Sequence, residues 1–255
     1  MHLKNSFKYQ LNNIKMPIII ISILYIAFMI LDIILAAVTT SGSDGGVVQI
    51  YGYDIMMLSG LGAFAAFNYS KDFNMQTQNG ISRKTFFISR IFLAVVISIF
   101  SLVFVFLSSL LFRFILGVLF ANSANPMSID LFLSSFYYDG ETTVFTLLMG
   151  SLLLFFCLLA VYFVTTFLGA LFYRVNNIVK VFVVVTPIVL INIILPIIEF
   201  TCPQYPVMSL LIEFMDKILG VSVNNPVIAM ITYSVVAVVF AVASFLVIRR
   251  IPVKK

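Results

Sequence analysis

The fold is decided by residues 16–38, which read MPIIIISILYIAFMILDIILAAV and contain one charged side chain, Asp32. A bilayer core about 30 Å thick is crossed by about 20 helical residues, so this run is long enough to span a membrane. The whole chain has the same character: 62% of its 255 residues are hydrophobic and 10% are charged, against about 25% charged residues in soluble domains. This composition excludes a cytosolic enzyme, a disulfide-rich secreted domain and a nucleic-acid-binding protein.

Further apolar runs follow along the chain, and together they predict six transmembrane helices. The predicted spans are residues 16–38, 47–69, 91–120, 144–173, 181–198 and 227–248. These runs are continuous, whereas the strands of a membrane β-barrel alternate polar and apolar residues. We therefore predict an all-α membrane protein that forms a single transmembrane domain over residues 1–255.

The charged residues predict the orientation. With six spans, one side carries the basic residues Lys4, Lys8, Lys15, Lys71, Arg83, Lys84, Arg90, Arg174, Lys180, Arg249, Arg250, Lys254 and Lys255, with Asp72 as the one acid. The other side carries Asp44, Asp130, Asp139, Glu141, Glu199, Glu213 and Asp216, with Lys217 as the one basic residue. Basic loops stay in the cytoplasm, so both termini are expected there.

The first 15 residues have apolar side chains at helical spacing, at Leu3, Phe7, Leu11 and Ile14. This pattern predicts an amphipathic helix over residues 1–15 that lies on the cytoplasmic leaflet, with its lysines near anionic lipid headgroups. A solvated basic tail that only marks the topology is the alternative.

Residues 70–89 form the longest polar segment on the predicted cytoplasmic side. Asn79-Gly80 predicts a turn or the end of a helix, because both residue types tolerate positive φ. Ser82 is suited to cap a new helix that runs into the third span. The mixture of apolar, amide and charged residues fits either a small docking surface or a solvated loop.

A short amphipathic helix is predicted on the extracellular side, before the last span. Its apolar residues recur at helical spacing at Leu211, Phe214, Met215, Ile218 and Leu219. Glu213 and Lys217 stand four residues apart on the other face and can form an ion pair. This helix is expected to rest on the outer leaflet or to dip into it.

Catalytic and metal-binding patterns are missing from the sequence. The only histidine is His2, so a His-Glu-x-x-His zinc site cannot form, and no Gly-x-x-x-x-Gly-Lys-Ser/Thr loop is present to bind ATP. Cys157 lies inside the fourth predicted span and Cys202 in an outer loop, so two unpaired thiols are expected. We expect no catalytic residue, no metal and no cofactor in this chain.

Three charged residues fall within predicted spans, namely Asp32, Asp54 and Arg113. Charges in the bilayer are costly and often functional. One interpretation is an ion pair between Arg113 and one or both aspartates that locks the helices or lines a polar path. The other is that each side chain reaches the outer headgroups independently.

Taken together, the chain resembles the permease subunit of ABC-2-type transporters. The resemblance covers nearly the whole chain: a basic amphipathic N-terminal helix, six spans, a cytoplasmic loop between the second and third, and amphipathic structure before the sixth. Its most specific part is Gly80-Ile81-Ser82-Arg83-Lys84-Thr85-Phe86, with Arg90 at the start of the third span.

The resemblance implies a coupling segment at residues 70–89 that contacts a separate ABC ATPase subunit, where ATP and magnesium are bound. The contact candidates carried over are Phe73, Met75, Gly80, Arg83 and Lys84. It also implies a second permease copy, identical or not, and a substrate path between the two copies. Permeases of this size are similar to exporters of antimicrobial or cytolytic peptides, such as phenol-soluble modulins, and to proteins that give resistance to lantibiotics and bacitracin-like compounds, in the bacterial cell membrane.

Three alternatives remain at the level of the sequence. One is an ABC exporter of lipid or polysaccharide, which usually has a more polar lining. Another is a membrane anchor or assembly protein that binds a partner and transports nothing. The third is a proton-driven transporter, although the acids within the predicted spans lie in the outer half and leave no obvious proton relay through the inner half.

Overall fold

The computed structural model describes residues 2–39, 48–119, 127–131, 135–138, 143–176 and 207–250, together with isolated positions between 179 and 197. The elements in chain order are α1 (His2–Thr39), β1 (Val48–Gly52), α2 (Asp54–Phe67), α3 (Tyr69–Gln78), α4 (Arg83–Leu119), β2 (Met127–Leu131), α5 (Val144–Arg174), α6 (Val207–Leu219) and α7 (Pro226–Arg249). A short 3-10 turn, Val221–Val223, joins α6 to α7. The described chain is thus predominantly helical.

Four of these helices are long and apolar enough to cross a membrane: α1, α4, α5 and α7. Their apolar side chains also face outward, as shown by exposed fractions of 61% for Ile23, 73% for Phe114 and 60% for Ile231. Such outward-facing apolar helices indicate a membrane-embedded protein. The bounds of α5 and α7 agree to within one residue with the sequence ranges 144–173 and 227–248 that were predicted as spans.

The starts of α5 and α7 show why these helices begin where they do. Thr143 and Thr146 form a reciprocal capping box at the start of α5. At the start of α7, the Asn225 side chain accepts a hydrogen bond from the Val227 N–H, and Pro226 occupies the first turn. Both arrangements satisfy amide groups that have no partner within the helix.

The N-terminal region differs from the prediction. One helix, α1, runs through residues 2–39, where a separate interfacial helix over 1–15 and a span over 16–38 were expected. Its most buried positions near the N-terminus are Ser6, Gln10 and Ile14, whereas Leu3 is 38% exposed. The polar face of this segment packs inward because it finds hydrogen-bond partners on α3 and α4.

The predicted second span, residues 47–69, is also corrected. Its first part is the strand β1, which pairs in parallel with β2, from Val48 opposite Met127 to Gly52 opposite Leu131. Only α2 remains as an apolar helix, and it is shorter than the four long ones. The third predicted span begins earlier than expected, since α4 starts at Arg83 and not at residue 91.

The helix α5 is the centre of the bundle and packs against α2, α4 and α7. Close contact with the α2–α3 region depends on Gly169, where an added Cβ would stand 2.8 Å from Tyr69 Cβ and 3.1 Å from the Ala66 carbonyl oxygen. The fifth predicted span, residues 181–198, lies almost wholly outside the described residues. Six spans therefore remain a prediction.

The predicted extracellular helix is present as α6. Lys217 Nζ donates to Glu213 Oε1 at 2.7 Å, which confirms the predicted pair. This hydrogen bond lowers the pKa of the Glu213 carboxyl below its ordinary value, because it favours the ionised form. Gly220, at φ 70°, then ends α6 in a left-handed conformation.

Candidate functional site

The sequence-predicted coupling segment forms a helix–turn–helix in which α3 and the start of α4 are joined at residues 79–82. Gly80 has φ 75°. The Ile81 N–H donates to the Gln76 carbonyl at 2.9 Å and the Gly80 N–H donates to the Thr77 carbonyl at 3.1 Å. This pair of bonds is a Schellman motif, which ends a helix at a residue with positive φ. Ser82 caps α4, as predicted, by accepting a hydrogen bond from the Thr85 N–H at 3.2 Å.

This α3–α4 turn lies at the same end of the bundle as the start of α1 and the end of α7. Ser6 on α1 donates to Gln76 on α3. Arg83 Nη1 donates to the Arg249 carbonyl oxygen at the end of α7, at 2.7 Å. Tyr173, at the end of α5, donates to Asn74 Oδ1 at 2.6 Å. We call this end of the molecule the basic end, because the only acidic residue among its described residues is Asp72.

The five contact candidates occupy different environments. Met75 is 45% exposed, and Gly80 and Lys84 are exposed as well. Arg83 is partly buried, in keeping with its bond to α7. Phe73 is fully buried, so its assignment to a docking surface was wrong.

Phe73 belongs instead to an aromatic cluster with Tyr69, Phe86 and Tyr173. Its ring meets Phe86 edge-on at 5.4 Å and Tyr173 edge-on at 5.5 Å, and stacks on Tyr69 at 5.9 Å between centroids. Edge-to-face and offset contacts of this kind stabilise more than the buried area alone. The cluster fixes α3 between α4 and α5.

A buried ion pair lies beside the aromatic cluster. Arg90 Nη2 donates to Asp72 Oδ2 at 3.2 Å, and the two side chains are 2% and 5% exposed. Asn13 Nδ2 donates to the other carboxylate oxygen of Asp72 at 2.7 Å, and Arg90 Nη1 donates to the Ala65 carbonyl at 3.2 Å. The guanidinium carbon also lies 5.1 Å from the centre of the Tyr69 ring, within range of a cation–π interaction.

Burial acts against the charged form of Asp72. It raises the pKa of this carboxyl above its ordinary value, because the ionised group loses hydration, while Arg90 and the Asn13 hydrogen bond act in the opposite direction. Burial of the Asp72–Arg90 pair therefore costs free energy of hydration. The attraction between the two charges and the hydrogen bonds with Asn13 and the Ala65 carbonyl offset this cost.

A second polar group joins α1 to α3 and α4. The Ser6 hydroxyl bonds Gln76 and lies 2.7 Å from the Ser89 hydroxyl, and Gln10 Nε2 donates to Ser89 Oγ at 2.8 Å. Gln76 Nε2 is buried and has no hydrogen-bond partner within the described part of the chain. Three helices are thus linked at the basic end by side-chain hydrogen bonds in an otherwise apolar bundle.

A cavity of about 270 Å³ opens beside this polar group. It is lined by Asn5 and Tyr9 on α1, by Met75, Gln76 and Asn79 on α3 and its end, and by Ile81 in the turn. The cavity combines two apolar side chains with amide and phenol groups. The cavity lies between the N-terminal part of α1 and the predicted coupling segment.

The three charges predicted inside the spans lie on three different elements of the structure. Asp32 accepts a hydrogen bond from the Tyr53 hydroxyl at 2.7 Å. Asp54 is fully buried at the start of α2, and Arg113 is partly buried on α4. The ion pair between Arg113 and an aspartate stays a prediction.

Cys157 is a buried free thiol on α5, as predicted, while Cys202 lies outside the described residues. Among the residues that the structure describes, no three His, Cys, Asp or Glu side chains are grouped so that they could hold a metal ion.

Sequence reasoning missed the Asp72–Arg90 pair and the role of Gln76. The signal was present, because the buried positions of α3 are Tyr69, Asp72, Phe73 and Gln76, a spacing of three, one and three residues that marks one helix face. Two of the four are polar, so a search for apolar periodicity alone does not find that face.

Comparison with known proteins adds no assignment: no protein-family model, no curated protein and no solved structure matches this chain.

Proposed function

We propose that this chain is the membrane-spanning permease subunit of an ATP-driven exporter of the ABC-2 type. The α3–α4 turn contacts a separate ABC ATPase, which binds ATP and magnesium, and a second permease copy completes the path. The substrate class is an amphipathic peptide of the antimicrobial or cytolytic kind, moved outward from the cytoplasm or the bilayer. The protein resides in the bacterial cell membrane with both termini in the cytoplasm.

One observation carries this proposal: the segment made of α3, the α3–α4 turn and the start of α4 is exposed on one side and bonded on the other to α1, α5, α7 and the interior of α4. Its links reach α1 through Ser6, α4 through the Asp72–Arg90 pair, α5 through Tyr173 and α7 through Arg83. A displacement of this segment would therefore be transmitted through these bonds to the four candidate spans α1, α4, α5 and α7.

The charge of the basic end supports the same proposal. Lys71 and Lys84 are exposed near the turn, while the carboxylate of Asp72 is buried against Arg90. The accessible charge is thus positive, which favours an acidic partner surface and excludes many others by repulsion.

The first experiment is purification of the tagged protein in mild detergent, identification of the accompanying chains by mass spectrometry, and reconstitution with any recovered ATPase in lipid nanodiscs. ATP hydrolysis should rise when the permease is present. Because like charges across an interface are strongly unfavourable, Lys84→Glu should weaken ATPase binding about tenfold or more.

Lys217→Glu is the matched control, because Lys217 is an exposed lysine on α6, at the other end of the bundle. It should leave ATPase binding unchanged. Purification without any ATPase, or equal effects of the two reversals, would contradict the proposal and favour a membrane anchor. Transport of a labelled amphipathic peptide into inverted vesicles, measured against a fluorescent lipid, separates peptide export from lipid export.

A further inference from the structure

The cavity at the basic end has a volume suited to binding a side chain of another molecule. Its volume is about 270 Å³, slightly below the range of about 300–1,000 Å³ that holds drug-sized ligands. The walls come from two separate elements, Asn5 and Tyr9 on α1 and Met75 with Ile81 beside the α3–α4 turn. A ligand in this cavity therefore touches both elements at once.

The walls define the chemistry of the occupant. Met75 and Ile81 offer an apolar contact, and methionine adapts its shape to different partners. Gln76 lines the cavity and is 2% exposed; its carbonyl oxygen accepts from Ser6, and its Nε2 donor has no hydrogen-bond partner within the described part of the chain. The unused group is a donor, so an occupant with hydrogen-bond acceptors is favoured.

The charged residues around the cavity indicate which charge its occupant should carry. Lys4 and Lys8 are exposed and stand next to the lining residues Asn5 and Tyr9 along α1. Lys84 is exposed on the first turn of α4, shortly after Ile81. The surroundings are therefore cationic, and they complement an acidic ligand.

The depth of the cavity favours a soluble partner over a lipid. The apolar run of α1 begins at Met16, and at 1.5 Å per residue Tyr9 lies about 10 Å and Asn5 about 16 Å further along the helix. A lipid headgroup layer is about 5–8 Å thick on each side of the core. For a helix that crosses upright, the cavity lies beyond the headgroups, in water.

We propose that this cavity binds an extended acidic peptide segment of a soluble partner subunit. One apolar side chain of the segment packs on Met75 and Ile81, and the flanking carboxylates face Lys4, Lys8 and Lys84. The identification of that partner as the ATPase rests on the proposed function, whereas the binding of an acidic segment does not.

The test uses the full chain in nanodiscs of phosphatidylcholine and a fluorescent peptide probe, Asp-Glu-Leu-Glu-Asp, blocked at both ends. Fluorescence anisotropy should show saturable binding. Met75→Trp fills the cavity and should weaken binding about tenfold, the loss expected for an anchor that no longer enters its pocket. Met215→Trp is the control, because Met215 on α6 is 44% exposed against 45% for Met75, and it should change nothing.

Asn5→Trp fills the same cavity from the α1 side and should reproduce the Met75→Trp result, which keeps the test valid if one variant does not fold. Equal binding of the basic probe Lys-Arg-Leu-Lys-Arg, or binding that both tryptophan variants leave unchanged, would overturn the inference. Displacement of the acidic probe by phosphatidylglycerol in the nanodisc, lost in Met75→Trp, would overturn it in favour of a lipid.

The two proposals fail separately. If the permease stimulates an ATPase but does not bind the acidic probe, the cavity assignment is wrong and the transporter assignment stands. If it binds the probe but neither recovers nor stimulates an ATPase, the cavity serves another acidic partner and the transporter assignment is wrong.

Discussion

At the scale of single residues, the basic end depends on Asp72 and Arg90, which form a buried ion pair between α3 and α4. Two isolated charges would not be stable there, because each loses most of its hydration. Asn13, the Ala65 carbonyl and the Tyr69 ring supply the remaining contacts. The pair specifies one arrangement of α3 against α4, because a shifted helix would leave a bare charge.

Replacement of Asp72 by Asn should therefore destabilise the protein strongly. It leaves the Arg90 cation buried without a counter-charge, and breaking a buried pair in this way costs about 3–5 kcal/mol. The expected result is a clearly lower midpoint of thermal unfolding in nanodiscs. Combining Asp72→Asn with Arg90→Gln should recover part of the loss, because no uncompensated charge remains.

The exposed Glu213–Lys217 pair on α6 provides the control. Its side chains are 60% and 67% exposed, and water screens the attraction between them. Glu213→Gln should leave the unfolding midpoint almost unchanged. Similar losses for Asp72→Asn and Glu213→Gln would show that the Asp72–Arg90 pair does not stabilise the fold in the way described.

At the scale of elements, Gly80 determines how α3 ends and where α4 begins. An added Cβ would meet nothing within 4 Å there, so the positive φ is the only obstacle to a side chain. The exposed helical glycine Gly117 on α4 also has open space around it but no positive φ. Alanine substitutions at Gly80 and Gly117 therefore differ only in the cost of the positive φ, because an added Cβ meets no neighbouring atom at either position.

Gly80→Ala should loosen the turn, because a left-handed residue with a Cβ costs about 1–2 kcal/mol. The expected change is about 5–30-fold faster hydrogen exchange of the Gly80 and Ile81 amides. Gly80→Asn should have a smaller effect, since asparagine tolerates this conformation. Gly117→Ala should preserve the exchange rates of the turn, and faster exchange in that variant would contradict this explanation.

Elements were predictable from the sequence where a single physical signal dominated. The length of the apolar runs predicted α5 and α7. Asn79-Gly80 and Ser82 predicted the turn between α3 and α4. The continuity of α1 was missed, because the lysines up to Lys15 and the start of the apolar run at Met16 suggested a boundary there. Hydrogen bonds from Ser6 and Gln10 to distant helices hold the segment helical. The strand β1 was missed because its five residues, VQIYG, stand at the start of a longer apolar run, and so short a stretch does not distinguish a strand from a helix.

At the scale of the whole molecule, the bundle has two chemically different ends. The basic end joins the start of α1, the α3–α4 turn and the end of α7. At the other end, the Tyr137 hydroxyl donates to the Leu219 carbonyl at 2.9 Å, which ties the chain before α5 to the end of α6. The acidic residues Glu213 and Asp216 belong to this second end.

This arrangement predicts the result of a labelling experiment. In a background with Cys157→Ala and Cys202→Ala, the exposed positions Lys4→Cys, Lys84→Cys and Arg250→Cys should react with a membrane-impermeant maleimide only in inverted vesicles. Lys217→Cys should react in intact cells, because the distribution of basic residues predicts that α6 lies outside. Reaction of Lys4→Cys and Lys84→Cys from opposite sides would contradict the packing of α1 against α3.

The helix α1 is continuous from His2 to Thr39. At 1.5 Å per residue it is about 57 Å long, longer than the 40–45 Å of a complete bilayer. Asn5 at the cavity and Asp32 near Tyr53 lie about 40 Å apart on that one shaft. Pro17, which lacks an amide proton, lies between these two residues, so a displacement of the N-terminal part of α1 reaches Asp32 only to the extent that the helix stays straight at this proline.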